Sequence, residues 1–259
     1  MILAVSFAWQ ADLAQQKKTG VRGEAEAVAD AKAMVETMGG MEIWAQLKSV
    51  HFVHEWFPYH RVDSYIEHEI LDLTGPRSRV EMRSEIFHRL RAYSPEHKYW
   101  SVINGEFSYA DDKAFANAME RAPYSIYRIA RAVAIGDPDY KIRFGKGDIP
   151  RSRRLEFYGP DGVMHGWIIL NARKEPLVWA TTQYRYTFGP MKRFGNLRVP
   201  NWAVYENGTT CYEMISLEGS NQPPDQTLFQ PPPEYRKKDA SQGTKGIPRK
   251  GRSASHAQF

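Results

Sequence analysis

The sequence predicts an α+β fold that is mainly antiparallel β-structure, and three observations predict it. From Trp44 onward, long stretches alternate charged and apolar residues with period two, as a sheet wetted on one face requires. Three hairpin-turn signals, Asn104-Gly105, Gly159-Pro160-Asp161-Gly162 and Asn207-Gly208, lie between apolar runs. Only two stretches of any length carry a helical stripe. The chain has 259 residues, of which 42% are hydrophobic and 13% aromatic. That is enough to bury one sizeable core, and an antiparallel fold of this size commonly forms one domain.

Residues 1–23 read as a signal-like segment and linker. Met1 to Ala11 is uncharged and apolar, and Ser6-Phe7-Ala8 fits a small-x-small cleavage pattern, so export is expected. No later run reaches the roughly 20 apolar residues that a membrane-spanning helix needs. The domain proper is expected over residues 24–235. It opens with a helix from Glu24 to Met38, in which Ala27, Ala31, Met34, Val35 and Met38 recur at helical spacing. Gly39-Gly40 stops that helix, and strands are expected from Trp44.

The clearest strand signal is PRSRVEMRSEI. Arg77, Arg79, Glu81, Arg83 and Glu85 alternate with Ser78, Val80, Met82, Ser84 and Ile86, which reads as a solvated charged face backed by a more apolar one. The segments KYWSVI, RRLEFY, VMHGWIIL, LVWATTQYRYTF and NWAVYE continue the pattern. Within them Tyr184, Tyr186 and Phe188 share one face, as do Trp167 and Ile169. Large aromatics on one side of a sheet need a cover. The second helical stretch, Asp111 to Ile135, supplies one. Phe115, Met119, Ala122, Ile126, Ile129 and Val133 form its apolar stripe, and Pro123 predicts a kink or a division into two short helices.

Net charge is +5, but it belongs to the end of the chain. From Arg236 onward there are seven Lys/Arg and one Asp, whereas the first 235 residues carry 28 basic and 29 acidic groups. The Gly/Ser-rich tail of residues 236–259 is therefore expected to be disordered. A nearly neutral body argues against a nucleic-acid interface in the folded domain.

Catalytic signatures are scarce. The sequence contains no G-x-S-x-G, Walker loop, H-E-x-x-H or C-x-x-C. The single cysteine, Cys211, lies in a strand-like setting and reads as a structural thiol. His51, His54, Glu55 and His60 are the best metal candidates. On a strand, however, His51 and His54 point to opposite faces, so no metal or cofactor is expected. Glu67 and Glu69 flank His68 and share a face, where each could raise the other's pKa. An acid–base site there would need a concave pocket around them.

The order of four segments resembles the LolA-like family of lipoprotein and lipid carriers. They are AKAMVETMGGMEIWAQLKSVHFVHE, the charged-and-apolar strands from Val62 to Tyr93, RFGNLRVPNWAVYENG, and MISLEGSNQPPDQTLFQPP with Asn221, Asp225, Phe229 and Pro231. Together they cover about Ala25 to Pro233. The resemblance implies an incomplete antiparallel β-barrel with helices covering its open mouth. It also implies a cavity for acyl chains, and a location in the periplasm or otherwise outside the cytoplasm. Period-two alternation then nominates Phe52, Trp56, Trp100, Trp167, Ile169, Tyr184, Tyr186 and Phe188 for the cavity wall, and the helical stripe nominates Phe115, Met119, Ile126 and Ile129 for the lid. The expected function is non-enzymatic binding or carriage of a lipid or lipoprotein acyl chains in the bacterial envelope, with inner- or outer-membrane proteins as candidate partners. The alternatives are an envelope protein-interaction or stress-sensing module on the same fold, and an enzyme using the Glu67/His68/Glu69 region.

Overall fold

A computed structural model describes residues 20–146 and 152–239. The signal-like segment before residue 20 and most of the basic tail lie outside the described residues. Sixteen strands and five α-helices are described within them.

The chain begins with the short strand β1 (Arg22–Gly23) and helices α1 (Ala25–Thr37) and α2 (Met41–Gln46). Trp44 sits in α2, so the strands start later than expected, at β2 (Ser49–Pro58). The reason is local. Gly39 and Gly40 both take positive φ, which ends α1 and redirects the chain into a second helical turn. A side chain at Gly39 would also meet the Asn196 backbone at 2.6 Å. A meander follows: β3 (Tyr65–Asp72), β4 (Ser78–Arg83), β5 (His88–Ser94), β6 (Lys98–Ile103) and β7 (Glu106–Tyr109). The charged strand signal is thus shorter than its sequence pattern, because residues 84–87 form the turn into β5.

Pro123 divides the second helical stretch as expected. Helix α3 (Asp112–Arg121) is capped by the Asp111 carboxylate, which accepts from the Ala114 N–H. A 3-10 turn (Ala122–Tyr124) leads to α4 (Ile126–Ile135), capped by Ser125 at its start and by a left-handed Gly136 at its end. The second set of strands comprises β8 (Lys141–Gly145), β9 (Arg153–Tyr158), β10 (Met164–Leu170), β11 (Pro176–Thr181) and β12 (Arg185–Phe188). After these come the separate ribbon β13 (Met191–Phe194) with β14 (Leu197–Pro200), then β15 (Trp202–Tyr205) and β16 (Thr210–Ser220). A 3-10 turn (Gln226–Phe229) and α5 (Pro233–Asp239) end the described chain.

Fourteen strands form one sheet in the order β1-β8-β9-β10-β11-β12-β15-β16-β2-β3-β4-β5-β6-β7. Every pairing is antiparallel except β1 with β8. The sheet is not closed, since β1 and β7 are its free edges, so the architecture is the expected incomplete barrel. Its concave side wraps the helices. In α4 and the turn before it, Tyr127 packs on Phe52 of β2 with centroids 5.2 Å apart, and the Tyr124 carbonyl accepts from Trp179 Nε1 of β11 at 2.9 Å. Met34, Ile129, Val133, Ile142, Leu155, Phe157 and Ile168 are fully buried in the core between these elements.

Arg128 of α4 locks the helix to the β3–β4 turn. Its guanidinium donates to the carbonyls of Asp72, Gly75, Arg77 and Ala122 at 2.6–2.9 Å. The Gly75 and Arg77 carbonyls also accept backbone N–H groups within the turn, so Arg128 fastens an already hydrogen-bonded turn to the helix.

Candidate functional site

Register shows which side chains enter the concave side. Trp56, His54 and Phe52 of β2 oppose Tyr65, Glu67 and Glu69 of β3, and these pair onward with Met82 and Val80 of β4. Val80 and Met82 in turn oppose Arg91 and Arg89 of β5, followed by Ser101 and Ile103 of β6. On the other flank, Trp56 opposes Tyr212 of β16, and Tyr186 of β12 stacks on Trp179 of β11 with centroids 5.8 Å apart. Tyr186 also meets Trp56 and Tyr212 at centroid distances of 6.4 and 6.3 Å. The aromatics therefore form a continuous wall from β3 across β2 and β16 to β12.

These side chains are deep but not sealed. Tyr65, Glu69, Arg91, Tyr186 and Tyr212 all feel strong desolvation, yet each keeps part of its surface accessible. The side chains of Met34, Ile129 and Leu155 in the core keep none. Their partial accessibility means that they border open space on the concave side of the sheet. That space lies between the concave faces of β2–β6 and β12/β16 and helix α3.

Its floor is polar. Trp56 Nε1 donates to Glu67 at 3.0 Å, and the Ser78 hydroxyl donates to Glu69 at 2.7 Å. Burial, reinforced by the Glu67 charge, pushes the Glu69 carboxyl up to about 7. His54 is buried, stacks on Tyr212 at 4.0 Å and has no hydrogen-bond partner at either ring nitrogen among the described residues. Arg91 donates to the Tyr99 hydroxyl at 3.4 Å. Burial pulls the Arg91 guanidinium down, but Tyr99, Glu67 and Glu69 outweigh it and raise the net value. At Arg89 burial and the Arg91 charge together lower it. Burial likewise raises Tyr65, Tyr186 and Tyr212, all of which stay protonated at neutral pH.

The nominated wall residues divide. Phe52, Trp56, Tyr186 and Phe188 face the concave side, Phe52 and Phe188 within the packed core and Trp56 and Tyr186 beside the open space. Tyr184 precedes β12 and sits at the rim, with the Arg121 guanidinium 4.8 Å above its ring. Trp100, Trp167 and Ile169 point away from the concave face and do not line it. Trp167 opposes Ala180 on the outer surface, between the guanidiniums of Arg154 and Arg185 at 4.5 and 5.2 Å. Its neighbour Ile168, one residue out of register with the expected face, enters the core instead. Trp100 is buried on the outer face, where its Nε1 donates to the Phe229 carbonyl at 2.8 Å. There Phe107 stacks on Tyr235 with centroids 5.1 Å apart. The C-terminal strap thus covers the outer side of β5–β7.

The lid residues divide as well. Ile126 and Ile129 of α4 are core residues, so the proline break separates a helix packed in the core from one with a single buried residue. Phe115 and Met119 of α3 are only half-buried, where α3 crosses β5 and β6. His51 and His54 do fall on opposite faces of β2: His51 stacks outside on His68, with centroids 5.6 Å apart. Cys211 is half-buried on β16. Arg89 and Arg91 were not singled out by the sequence. The signal that could have found them is their shared face in HRLRAYS, opposite Leu90 and Ala92.

No family model and no curated protein matches the chain. Among solved structures it is similar to a DUF1329 family protein from Desulfovibrio piger, at 8% identity and a TM-score of 0.45, over 79% of this chain and 99% of that one. It is also similar to a chain of the Pseudomonas aeruginosa MucA/MucB complex, at 11% identity and a TM-score of 0.30, over 81% of this chain and 62% of that one. A further MucB structure aligns at 11% identity and a TM-score of 0.22, over 82% of this chain and 64% of that one. At such identities and scores the likeness says nothing about function.

Proposed function

We propose that the protein binds a lipid or acyl chain without catalysing a reaction, in the bacterial envelope after export. The observation that carries this reading is the aromatic wall of Trp56, Tyr65, Tyr186 and Tyr212, deep in the molecule but facing accessible space beneath a loosely seated amphipathic helix. Burying a methylene contributes roughly 0.8 kcal/mol, so a 16-carbon chain held in such a space gains on the order of 12 kcal/mol before ordering costs. Holding the chain in water needs a cover, and α3 is placed to serve. Its Phe115 and Met119 are half-buried where the helix crosses β5 and β6, whereas α4 beyond Pro123 is packed in the core. Export rests on the apolar start of the sequence.

The test is native mass spectrometry of protein purified without detergent, together with titration of a fluorescent fatty-acid probe. A discrete extra mass that extracts into organic solvent, or saturable probe uptake that Tyr186→Arg abolishes, is the expected result. A bare mass and no uptake after incubation with phospholipid would overturn it and favour the protein-interaction module.

A further inference from the structure

Arg89 and Arg91 stand two residues apart on one face of β5 and project into the same space. They are like charges separated by roughly 7 Å of strand, an arrangement that burial penalises unless something neutralises it. At Arg91 burial is offset by Tyr99, Glu67 and Glu69 acting through space, but at Arg89 burial and the Arg91 charge prevail. Among the described residues, Arg89 Nε is buried without a hydrogen-bond partner, and Arg91 makes one hydrogen bond, the 3.4 Å contact with Tyr99. Neither guanidinium forms an ion pair among the described residues. The nearest carboxylates on this face are Glu67 and Glu69, held on β3 with β4 between, roughly 10 Å away by strand spacing. Those carboxylates are already occupied by Trp56 and Ser78. The other polar groups facing the pair are Tyr65, Tyr93, Tyr99 and Arg121 of α3; burial pushes the Tyr99 hydroxyl up but Arg91, Arg89 and Arg121 outweigh it, and Arg121 adds positive charge. Arg128, the most deeply buried arginine of the core, is by contrast bonded to four carbonyls.

We propose that Arg89 and Arg91, with the Tyr99 hydroxyl, anchor an anionic oxygen group, a carboxylate or a phosphate, at one end of the bound amphiphile. The chain of that ligand runs from this anchor past Tyr65 to Trp56, Tyr212 and Tyr186. Guanidinium is the suited group, because its planar fork of donors matches both carboxylate and phosphate oxygens and is weakly hydrated. Apolar wall and cationic end together select an anionic single- or double-chain amphiphile over a neutral one. This inference rests on the lipid-binding reading and adds the headgroup to it.

The experiment uses the full chain and isothermal titration with four 12-carbon probes: dodecanoate, dodecyl phosphate, dodecanol and dodecylamine. The anions should bind about tenfold or more tightly than the alcohol, the usual scale for a charge-assisted hydrogen bond to a buried group. Which anion binds more tightly identifies the headgroup. Arg91→Met should remove that preference while changing dodecanol affinity less than about twofold, and Arg89→Met should do the same if Arg91→Met fails to fold. Arg91→Lys should restore part of the preference, because it keeps the charge without the fork. Equal binding of dodecanoate and dodecanol, or tightest binding of dodecylamine, overturns the anchor and leaves the lipid-binding reading standing. Binding of none of the four overturns both.

Discussion

The two flanks of the one sheet treat their concave faces in opposite ways. On the β8–β12 flank, Ile142, Leu155, Phe157 and Ile168 press against α1 and α4, and the interior is dry. On the β3–β6 flank, the same side of the sheet carries Glu67, Glu69, Arg89, Arg91 and Tyr99, while the apolar residues Leu90, Ala92, Trp100 and Val102 turn outward. The difference comes from what covers each side. Helices fill the first flank, so its hydrophobic face looks inward. The C-terminal strap packs outside the second, so its hydrophobic face looks outward and the polar face is left toward the concave space. A sheet that is anchored from behind can afford charged side chains on its concave face, as Glu67, Glu69, Arg89 and Arg91 show here.

The comparison is most easily broken in the anchors. Leu155→Ala on the dry flank removes a fully buried side chain and should cost about 2–5 kcal/mol by denaturant unfolding. Trp100→Ala removes a buried indole and its hydrogen bond to Phe229, with an expected loss of about 3–5 kcal/mol, and it should also release the strap. Limited proteolysis near Tyr235 would then speed up. If Trp100→Ala were neutral while Leu155→Ala was costly, the outer cover would not be what holds the second flank.

Those anchors also show how far the sequence could be read. The antiparallel sheet, the three hairpin turns and the division at Pro123 follow from local signals, because turn geometry and the proline ring act over a few residues. The inward positions of Trp56, Tyr186, Ile126 and Ile129 follow from periodicity. Trp100, Trp167 and Ile169 did not, since period two says which residues share a face but not which face is inside. That choice is made by segments far away in sequence. For Trp100 it is Phe229, 129 residues on, and for Trp167 it is the guanidiniums of Arg154 on β9 and Arg185 on β12. The same inversion hid Arg89 and Arg91, whose alternation with Leu90 and Ala92 reads on its own as a solvated charged face.

Glu69 sharpens the contrast through pH. Its carboxyl is raised from the usual 4.5 to about 7, so the folded state holds a proton there that the unfolded chain gives up. The folded protein therefore loses stability as pH rises from about 4.5 to about 7, and the full penalty persists above that. Because Glu69 keeps some contact with the internal space, the penalty is about 1–2 kcal/mol, below what a sealed site would impose. Glu69→Gln keeps an acceptor for the Ser78 hydroxyl and removes the charge. It should flatten this part of the stability–pH curve and stabilise the protein above pH 7, as chemical denaturation across a pH series would show. A curve unchanged by Glu69→Gln would mean that the charge is already neutralised and that the polar flank is not under electrostatic strain.

The smallest effect expected is at the cover. The Asp111 carboxylate caps α3 at 2.7 Å, and α3 contributes one buried residue, Ala118, whereas α4 contributes seven. Asp111→Ala should therefore weaken α3 by about 1 kcal/mol, the usual worth of such a cap. Because α3 lies outside the dry core, that loss should be local. Amide exchange within Asp112–Arg121 should speed up about fivefold, with little change in the global unfolding midpoint. The matched change Ser125→Ala removes the cap of α4 and should lower the global midpoint, because α4 cannot fray without opening the core. If both substitutions moved the midpoint equally, α3 would be part of the core and could not act as a cover that opens independently.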